Sequence, residues 1–181
     1  MDPTAGLRPA AIERMALVEV PADRKAVIAH LMQLYLHDFS EFAAIGTDHG
    51  EVDEDGRFPY KWLDSYWREE GRLPFTIHAD GRLAGFALIN RWSALGCPLD
   101  QSVAEFFVLR KYRRSGVGLR AAQLLFARFP GQWEVPVAWY NQPALSFWRK
   151  VVAIVADGPL EECAGNGERW VGTVLRFVKS A

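Results

Sequence analysis

Hydrophobic positions near the start of the chain change from a short apolar run to a helical pattern. Residues 15–20 form the apolar run, which predicts a first strand. Between residues 24 and 42, apolar side chains recur at steps of three and four, which indicates one buried helix face. Asp23 stands directly before this pattern and is the expected N-cap. The pattern therefore predicts a strand followed by a helix.

Two segments of different composition follow this helix. Residues 48–56 combine acidic side chains with glycines, which favours a solvated loop. The sixth-position glycine and twelfth-position glutamate of a calcium loop do not fall into place, so calcium is not indicated. Residues 59–70 carry leucine and aromatic side chains at helical spacing, which predicts a short second helix ending near Gly71.

Strand patterns dominate the rest of the chain. Apolar segments bounded by turn residues predict strands at residues 74–78, 83–90, 102–109, 133–140, 152–156 and 170–178. Asp80 and Gly81 join the first two of these strands as a hairpin. A helix is expected after residue 116, and Pro143 suits the first turn of another at residues 144–151. The order β-α-α-β-β-β-α-β-α-β-β, without a linker, predicts one α/β domain over residues 1–181.

Composition narrows the class of protein. The chain has 181 residues, half of them hydrophobic, which is enough for one well-filled core. A formal net charge of −1 argues against a general nucleic-acid binder. Cys97 and Cys163 lie far apart, so neither a zinc site nor a disulfide framework is indicated, and a reducing cytoplasm is the expected location. No signal peptide or membrane-spanning segment is expected from the apolar runs.

The turn after the strand at residues 102–109 is both basic and rich in glycine. Gly116 and Gly118 let the backbone approach a ligand and present successive N–H groups to it. The helix that follows adds the positive end of its dipole. The basic side chains of the turn are Arg110, Lys111, Arg113 and Arg114. Three effects of one sign therefore predict a site for a phosphate group.

Residues 113–118 read Arg-x-x-Gly-x-Gly, between a strand and a helix. This motif resembles the [QR]-x-x-G-x-[GA] pyrophosphate loop of the GNAT superfamily of acyl-CoA-dependent N-acyltransferases. Val108 stands where the fourth strand of the family ends in V-x-P-x-x-R. Asn141-x-x-Ala144 matches the N-x-x-A that opens the helix after the fifth strand. With the order of elements, the resemblance covers most of the chain.

The resemblance implies a fold, an activity and a set of binding residues. The fold is a single α/β domain with a mixed, mostly antiparallel sheet, splayed fourth and fifth strands, and about four flanking helices. The activity is transfer of an acetyl or other acyl group from acetyl-CoA to a primary amine, by direct attack in a ternary complex and without a metal. The implied cofactor-binding residues are Phe106, Phe107, Val108, Arg113, Arg114, Ser115, Gly116, Val117, Gly118 and Asn141.

Such a transfer needs a group that removes the proton of the attacking amine, and Glu105 is the nearest carboxylate. In the cleft it would accept that proton through water, with a pKa raised by apolar neighbours. The other interpretation is a structural salt bridge or a charge at the end of a strand. Strand alternation, counted back from Val108, selects Ala104 or Ser102 as cleft-facing instead, unless a bulge reverses the order.

The general acid is a departure from the resemblance. Trp148 stands seven residues after Asn141, where many relatives carry a tyrosine. Either the thiolate leaves unaided or through water, or another group such as Tyr140 replaces the tyrosine, or the chain binds acyl-CoA without turning it over. Catalysis without that tyrosine is the main hypothesis.

Other classes of function stay open beside it. A non-catalytic acyl-CoA-binding or sensing domain would use the same fold. The motif Gly116-x-Gly118-x-x-Ala121 also fits a dinucleotide fingerprint, with Glu134 as the ribose-binding acid. However, Glu134 begins a strand instead of ending one, and too little chain follows for a doubly wound sheet. A phosphate-loop NTPase is excluded because no Gly-Lys-Ser/Thr is present.

The acceptor amine, of a small molecule or peptide, has no motif. Acidic residues 48–55 are one candidate for attracting a cationic amine, with a solvated loop as the simpler interpretation. The candidate pocket walls, otherwise core aromatics, are Trp62, Tyr66 and Trp67. His37 and His49 are interpreted as surface residues. No nucleic acid or membrane partner is expected, and the oligomeric state is left open between monomer and homodimer.

Overall fold

A computed structural model describes residues 11–48 and 50–181 of the chain. The first strand, β1, is Met15–Glu19, and the first helix, α1, is Lys25–Ser40, in agreement with the sequence pattern. The prediction of Asp23 as N-cap is wrong. Asp23 lies inside a 3-10 turn, Ala22–Arg24, which places Arg24 at the N-cap of α1 without a capping side-chain bond.

The helix predicted at residues 59–70 is a short 3-10 segment, Leu63–Trp67. Its turns are closed by bonds such as Arg68 N–H to Ser65 O, at 3.2 Å. The indole N–H of Trp67 donates to the carbonyl of Val20 at 2.7 Å and holds the segment against the sheet. A segment this short gains too little from helical hydrogen bonds to propagate, so side-chain anchoring decides its shape.

The sheet has seven strands in the order β1-β2-β3-β4-β5-β7-β6. The strands after β1 are β2 Leu73–Ala79, β3 Arg82–Asn90, β4 Gln101–Val108, β5 Gly131–Ala138, β6 Glu161–Ala164 and β7 Gly172–Lys179. β4 and β5 are parallel, and all other neighbours are antiparallel. Asp80 and Gly81 turn β2 into β3 with φ of 49° and 76°, as a two-residue hairpin requires. The mixed, mostly antiparallel sheet is as expected.

Two further α-helices, α2 Val117–Arg128 and α3 Gln142–Val155, pack on one face of the sheet, and α1 packs on the other. The described residues thus form three α-helices, not about four. The strand predicted at residues 152–156 is wrong, because α3 continues through it. The buried side chains of α3 recur at helical spacing: Leu145, Trp148, Val151, Val152 and Val155. Packing of that face on the sheet overrides the strand preference of the valines.

β4 and β5 run side by side only at their beginnings. They pair through Gln101 with Trp133 and Ser102 with Glu134, although each strand continues for several residues. The other edge of β5 is paired with β7 along its whole length. Past Ser102 and Glu134, the facing edges of β4 and β5 therefore diverge. The splay expected between the fourth and fifth strands is confirmed.

A bulge in β4 lies at the start of this divergence. Leu88 of β3 pairs with Glu105, but the next residue, Ile89, pairs with Val103. Ala104 is therefore the extra residue, and it reverses the alternation of Ser102 and Val103 relative to the residues that follow it. The bulge precedes Glu105, so Glu105 still lies on the opposite face from Val108, and this face packs on α1. Ser102 and Ala104 line the same cavity as Glu105.

Candidate active site

The gap between β4 and β5 opens into a cavity of about 530 Å³, a size typical of small-molecule sites. The splayed strands and the start of α3 form one part of its wall. The other part comes from α1, the 3-10 segment and the end of β3. This second part is rich in aromatic side chains, namely Tyr35, Phe39, Tyr60, Trp62, Tyr66 and Trp92. The cavity thus joins the strand gap to an aromatic chamber.

Glu105 lines the cavity from the α1 side of β4. The hydroxyl of Tyr35, on α1, donates to its Oε2 at 2.5 Å. The hydroxyl of Tyr60, in the loop before the 3-10 segment, donates to its Oε1 at 2.9 Å. The Tyr35 ring packs edge-on against Phe86 and Phe107 at 5.7 and 5.8 Å. Two phenols embedded in apolar surroundings therefore hold the carboxylate.

These surroundings set the charge of each group. Burial raises the pKa of Glu105 to about 7, and the two tyrosine hydrogen bonds oppose that rise. Burial and the Glu105 charge raise the pKa of both Tyr35 and Tyr60 well above their usual value. The tyrosines therefore remain donors at neutral pH. The carboxyl group between them exchanges a proton near pH 7.

The basic turn after β4 has an unusual backbone. Arg114 and Gly116 have φ of 61° and 83°. A Cβ added at Gly116 would meet no atom within 4 Å, so the turn faces open space there. Gly116 is the N-cap of α2, and the first turn of this helix carries no acid. Its first N–H groups are therefore available to an anion. Left-handed residues in so short a turn favour a concave group of such donors.

The arginine side chains of the turn are occupied by α1. Arg113 donates through Nε to the carbonyl of Val108 at 2.8 Å and forms an ion pair with Asp38. Arg110 binds the same carboxylate at 2.6 and 2.9 Å. Partial burial alone would raise the pKa of Asp38, but the hydrogen bonds from the two arginines lower it. Asp38 thus clamps the turn to the helix that carries Tyr35.

The other predicted cofactor residues divide between cavity and core. Phe106 lines the cavity and packs on Trp148 of α3 at 5.0 Å between ring centroids. Phe107 and Val117 are buried with their side chains in the core. A Cβ at Gly118 would lie 3.3 Å from the ring of Phe147, so this glycine allows close packing. Val108 lies before the turn and Ser115 lies within it, where the Ser115 hydroxyl donates to Tyr112 O at 2.7 Å.

α3 begins at the cavity. The Oδ1 of Asn141 accepts from the backbone N–H of Ala144 at 3.1 Å, so Asn141 is the N-cap of α3 and also lines the cavity. Trp148 is 6% exposed and belongs to the core. Tyr140 lies at the cavity wall, where burial and the Glu105 charge raise its pKa. A phenol therefore lies near Glu105 although the helix position of the tyrosine holds Trp148.

Several residues of this site have no sequence motif. Tyr35 and Tyr60 bind Glu105, and Asp38 binds the arginines of the turn. Arg72 and Asn90 are polar residues of the aromatic chamber. These five residues come from segments far apart in the chain. One signal was available. A tyrosine on a buried helix face needs a partner for its hydroxyl, so Tyr35 indicated a polar group nearby.

The predicted acceptor residues are not all at the cavity. Trp67 does not line it, and residues 50–57 are largely exposed, as is Asp48. His37 is also exposed, while His49 lies outside the described residues.

Glu134, the acid of the dinucleotide alternative, is fully buried. It accepts hydrogen bonds from the Ser93 hydroxyl at 2.9 and 3.1 Å and from the Ala94 N–H at 2.8 Å. The carboxylate therefore anchors the connection between β3 and β4. Neither this environment nor the mixed sheet fits a dinucleotide site.

Within the described residues no cluster of three potential metal ligands occurs, and no helix has the length and apolar character to cross a bilayer.

Comparison with known proteins agrees with the splayed sheet and the turn before α2. The family model described as "Acetyltransferase (GNAT) family" matches residues 28–152. The chain belongs to the GNAT acetyltransferase family. The matched range includes Glu105, the basic turn and Asn141. No curated protein sequence matches this GNAT chain.

Solved structures share the fold of this GNAT protein at low sequence identity. An acetyltransferase from Thermus thermophilus has a TM-score of 0.62 at 16% identity, covering 94% of this chain and 99% of its own. The GNAT domain of PAT from S. lividans has a TM-score of 0.59 at 14% identity, covering 95% and 99%. The PaiA N-acetyltransferase from Thermoplasma acidophilum, in complex with coenzyme A, has a TM-score of 0.55 at 10% identity, covering 92% and 99%.

Proposed function

We propose that this GNAT protein is an N-acetyltransferase that moves the acetyl group of acetyl-CoA to a primary amine in a ternary complex. The observation that carries the proposal is the Glu105 carboxyl group in the cavity, with a pKa of about 7 and a phenol on each oxygen. Each oxygen retains a further lone pair for the amine or a bridging water. Such a group suits removal of a proton from an amine at neutral pH.

Acetyl-CoA, the acetyl donor, would lie along the gap between the diverging strands β4 and β5. The diphosphate of coenzyme A would bind the backbone N–H groups of residues 114–118, where Gly116 leaves open space. The pantetheine arm would follow the unpaired edge of β4 past Ser102, whose N–H and C=O groups match its amides. Phe106 and Asn141 would line its path. The complex of PaiA with coenzyme A, on the same fold, supports this placement.

The proposed reaction needs only groups of the cavity and the two substrates. The acceptor enters as an ammonium, and Glu105 takes one proton from it, directly or through water. The neutral nitrogen attacks the thioester carbonyl, a C–N bond forms, and a backbone N–H of β4 stabilises the oxyanion. Collapse breaks the C–S bond and releases the thiolate, while the second amine proton leaves to solvent. Tyr140, kept protonated by its raised pKa, would supply the proton for the thiolate. Transfer of the Glu105 proton to the resulting tyrosinate through water would restore both groups.

A non-catalytic acyl-CoA-binding domain is the second candidate function. It is favoured by one observation, the burial of Trp148 where many relatives place a catalytic tyrosine. A sensor would bind acetyl-CoA without consuming it. Release of free coenzyme A from acetyl-CoA, measured with a panel of primary amines, separates the two functions.

Gly116→Glu tests the cofactor site, with Gly116→Ala as the matched control. Both variants place a side chain at the same positive φ, and a Cβ meets no neighbour there, so both carry the same backbone strain. Only glutamate adds a negative charge to the anion cradle. We expect Gly116→Glu to lose coenzyme A binding by calorimetry and Gly116→Ala to retain most of it. Equal affinities for the two variants would contradict the proposed cradle.

A further inference from the structure

The aromatic chamber contains a cluster of hydrogen-bond donors away from the strand gap. Arg72, at the start of the chain entering β2, lines the cavity, and its side chain is 19% exposed. Its Nε donates to Glu69 at 2.6 Å, and its guanidinium lies over the rings of Trp62 and Tyr66, 5.8 and 5.5 Å from their centroids. The ion pair and the stacking orient the guanidinium without occupying all of its N–H groups.

Tyr66 adds a second donor to this cluster. Its hydroxyl oxygen accepts from Nδ2 of Asn90 at 3.3 Å, and its side chain is almost fully buried. Burial and the Glu105 charge raise the pKa of Tyr66, while hydrogen bonds from Asn90 and Arg72 oppose the rise. Among the described residues, no acceptor is bonded to the Tyr66 proton. Three groups thus present donors to one part of the cavity, and a buried donor without an acceptor is costly.

The chamber is therefore electrically asymmetric. Arg72 and Glu105 are the only charged residues among the described residues that line the cavity. Asn90 lies two residues after Leu88 on the same face of β3, and Leu88 pairs with Glu105. Diagonal neighbours of this kind in a sheet are about 7–8 Å apart. The donor cluster thus begins one diagonal step from the carboxyl group that would hold the amine.

We propose that the acceptor is a small molecule that carries a carboxylate beside its primary amine, such as a free amino acid. The carboxylate would bind Arg72, Tyr66 and Asn90, and the amine would lie at Glu105. An amino acid carries the two opposite charges that Arg72 and Glu105 would pair, and both residues line one cavity of about 530 Å³. This inference rests on the proposed acetyl transfer, because it names the acceptor of that reaction.

The charges also disfavour other amines. A diamine would place its second cation against Arg72 in a partly enclosed chamber, where like charges repel strongly. A monoamine without an anion would leave the donors of Arg72 and Tyr66 without a partner once water is displaced. An amino acid satisfies both ends, and the aromatic rings between them accommodate its side chain.

Matched substrate pairs test the inference. Acetylation of glycine, phenylalanine and lysine would be compared with that of methylamine, phenethylamine and cadaverine, which lack only the carboxylate. Charge-assisted hydrogen bonds to the missing group lead us to expect kcat/KM about 10- to 100-fold higher for at least one amino acid than for its partner. Equal values within every pair, or higher values for the amines, would overturn the inference while leaving the acetyl transfer intact.

Variants locate the carboxylate site. Arg72→Gln should remove most of the discrimination within the preferred pair, by lowering kcat/KM for the amino acid far more than for the amine. Arg68→Gln is the control, because Arg68 is 74% exposed, pairs with Asp64 and does not line the cavity. Tyr66→Phe should reduce the discrimination less, since it removes one donor and keeps the ring. Discrimination that persists in both Arg72→Gln and Tyr66→Phe would also overturn the inference.

Binding decides the case if no amine is acetylated. Calorimetry on the protein loaded with coenzyme A would then compare the same pairs. Tighter binding of the amino acid, lost in Arg72→Gln, would support the carboxylate site even though the proposed acetyl transfer had failed. Absence of that preference would reject the site as well.

Discussion

Two glutamates on neighbouring strands have opposite surroundings. Glu134 of β5 is fully buried and accepts from the Ser93 hydroxyl and the Ala94 N–H, both in the connection between β3 and β4. Glu105 of β4 is held by the hydroxyls of Tyr35 and Tyr60 and lines a cavity. They lie on either side of the point where the two strands separate.

The separation of the strands accounts for the difference. Glu134 lies where β4 and β5 still pair through Ser102, so no ligand reaches its carboxylate, which is satisfied by a fixed loop. Glu105 lies three residues beyond that pair, where the edges have diverged. Burial of a carboxyl group is therefore not sufficient evidence of a functional site. The nature of its donors and its access to a cavity distinguish the two cases.

The largest expected effect is on turnover. Glu105→Gln should lower kcat about 10²- to 10⁴-fold, because general base catalysis by a positioned side chain contributes that much. Glu134→Gln should change kcat by less than about fivefold at a temperature where it is folded, since the partners of its carboxylate, Ser93 and Ala94, do not line the cavity. Coenzyme A release with one amine measures both. Equal losses in the two variants would assign Glu105 a structural role.

The basic turn was predictable because its features are contiguous in the chain. Gly116 needs a left-handed conformation that glycine adopts readily, and its observed φ is 83°. The motif of residues 113–118 places glycine at that position, and the strand before it and the helix after it are also visible in the sequence. Local chemistry therefore identifies the turn. The engagement of Arg113 by Asp38 was not predictable, because it depends on how α1 packs.

The orientation of Glu105 was not predictable, for the same reason. It depends on which face of β4 packs on α1, and that packing places Glu105 beside Tyr35. Its second donor, Tyr60, comes from a loop without regular secondary structure. The strand predicted at residues 152–156 failed similarly, since α3 is stabilised there by packing on the sheet. Non-local contacts decide each of these features.

The second largest expected effect is on stability, and here the Glu134 substitution has the larger effect of the two. Glu134→Gln should lower the free energy of unfolding by about 2–4 kcal/mol, because its amide NH₂ would replace one acceptor beside the Ala94 N–H or the Ser93 hydroxyl. Urea denaturation at pH 8 measures this loss. Glu105→Gln should not be destabilised under the same conditions. A stable Glu134→Gln variant would show that this carboxylate is not the anchor of its loop.

A smaller effect follows from the raised pKa of Glu105. The folded protein holds this proton up to about pH 7, whereas the unfolded chain releases it near 4.5. The resulting stability is present below pH 4.5 and is lost as pH rises through 7. The Glu105→Gln side chain stays neutral. The free energy of unfolding of this variant should therefore rise relative to the wild type between pH 4.5 and 8, by up to about 3 kcal/mol. Urea midpoints across this range measure the gain, and a constant difference would mean that the pKa is not raised.

The smallest expected effect tests the two phenols. Each tyrosine hydrogen bond stabilises the charged form of Glu105 and lowers its pKa, so removing one should raise that pKa further above 7. The acidic limb of the kcat/KM profile should then move to higher pH by about half a unit to one unit. We expect a larger shift for Tyr35→Phe than for Tyr60→Phe, because the Tyr35 bond is shorter, at 2.5 against 2.9 Å. A loss of rate without any shift of the acidic limb would mean that the two tyrosines bind the substrate and do not set the pKa of Glu105. The donors of Glu105 and the loop donors of Glu134 would then differ only in their geometry.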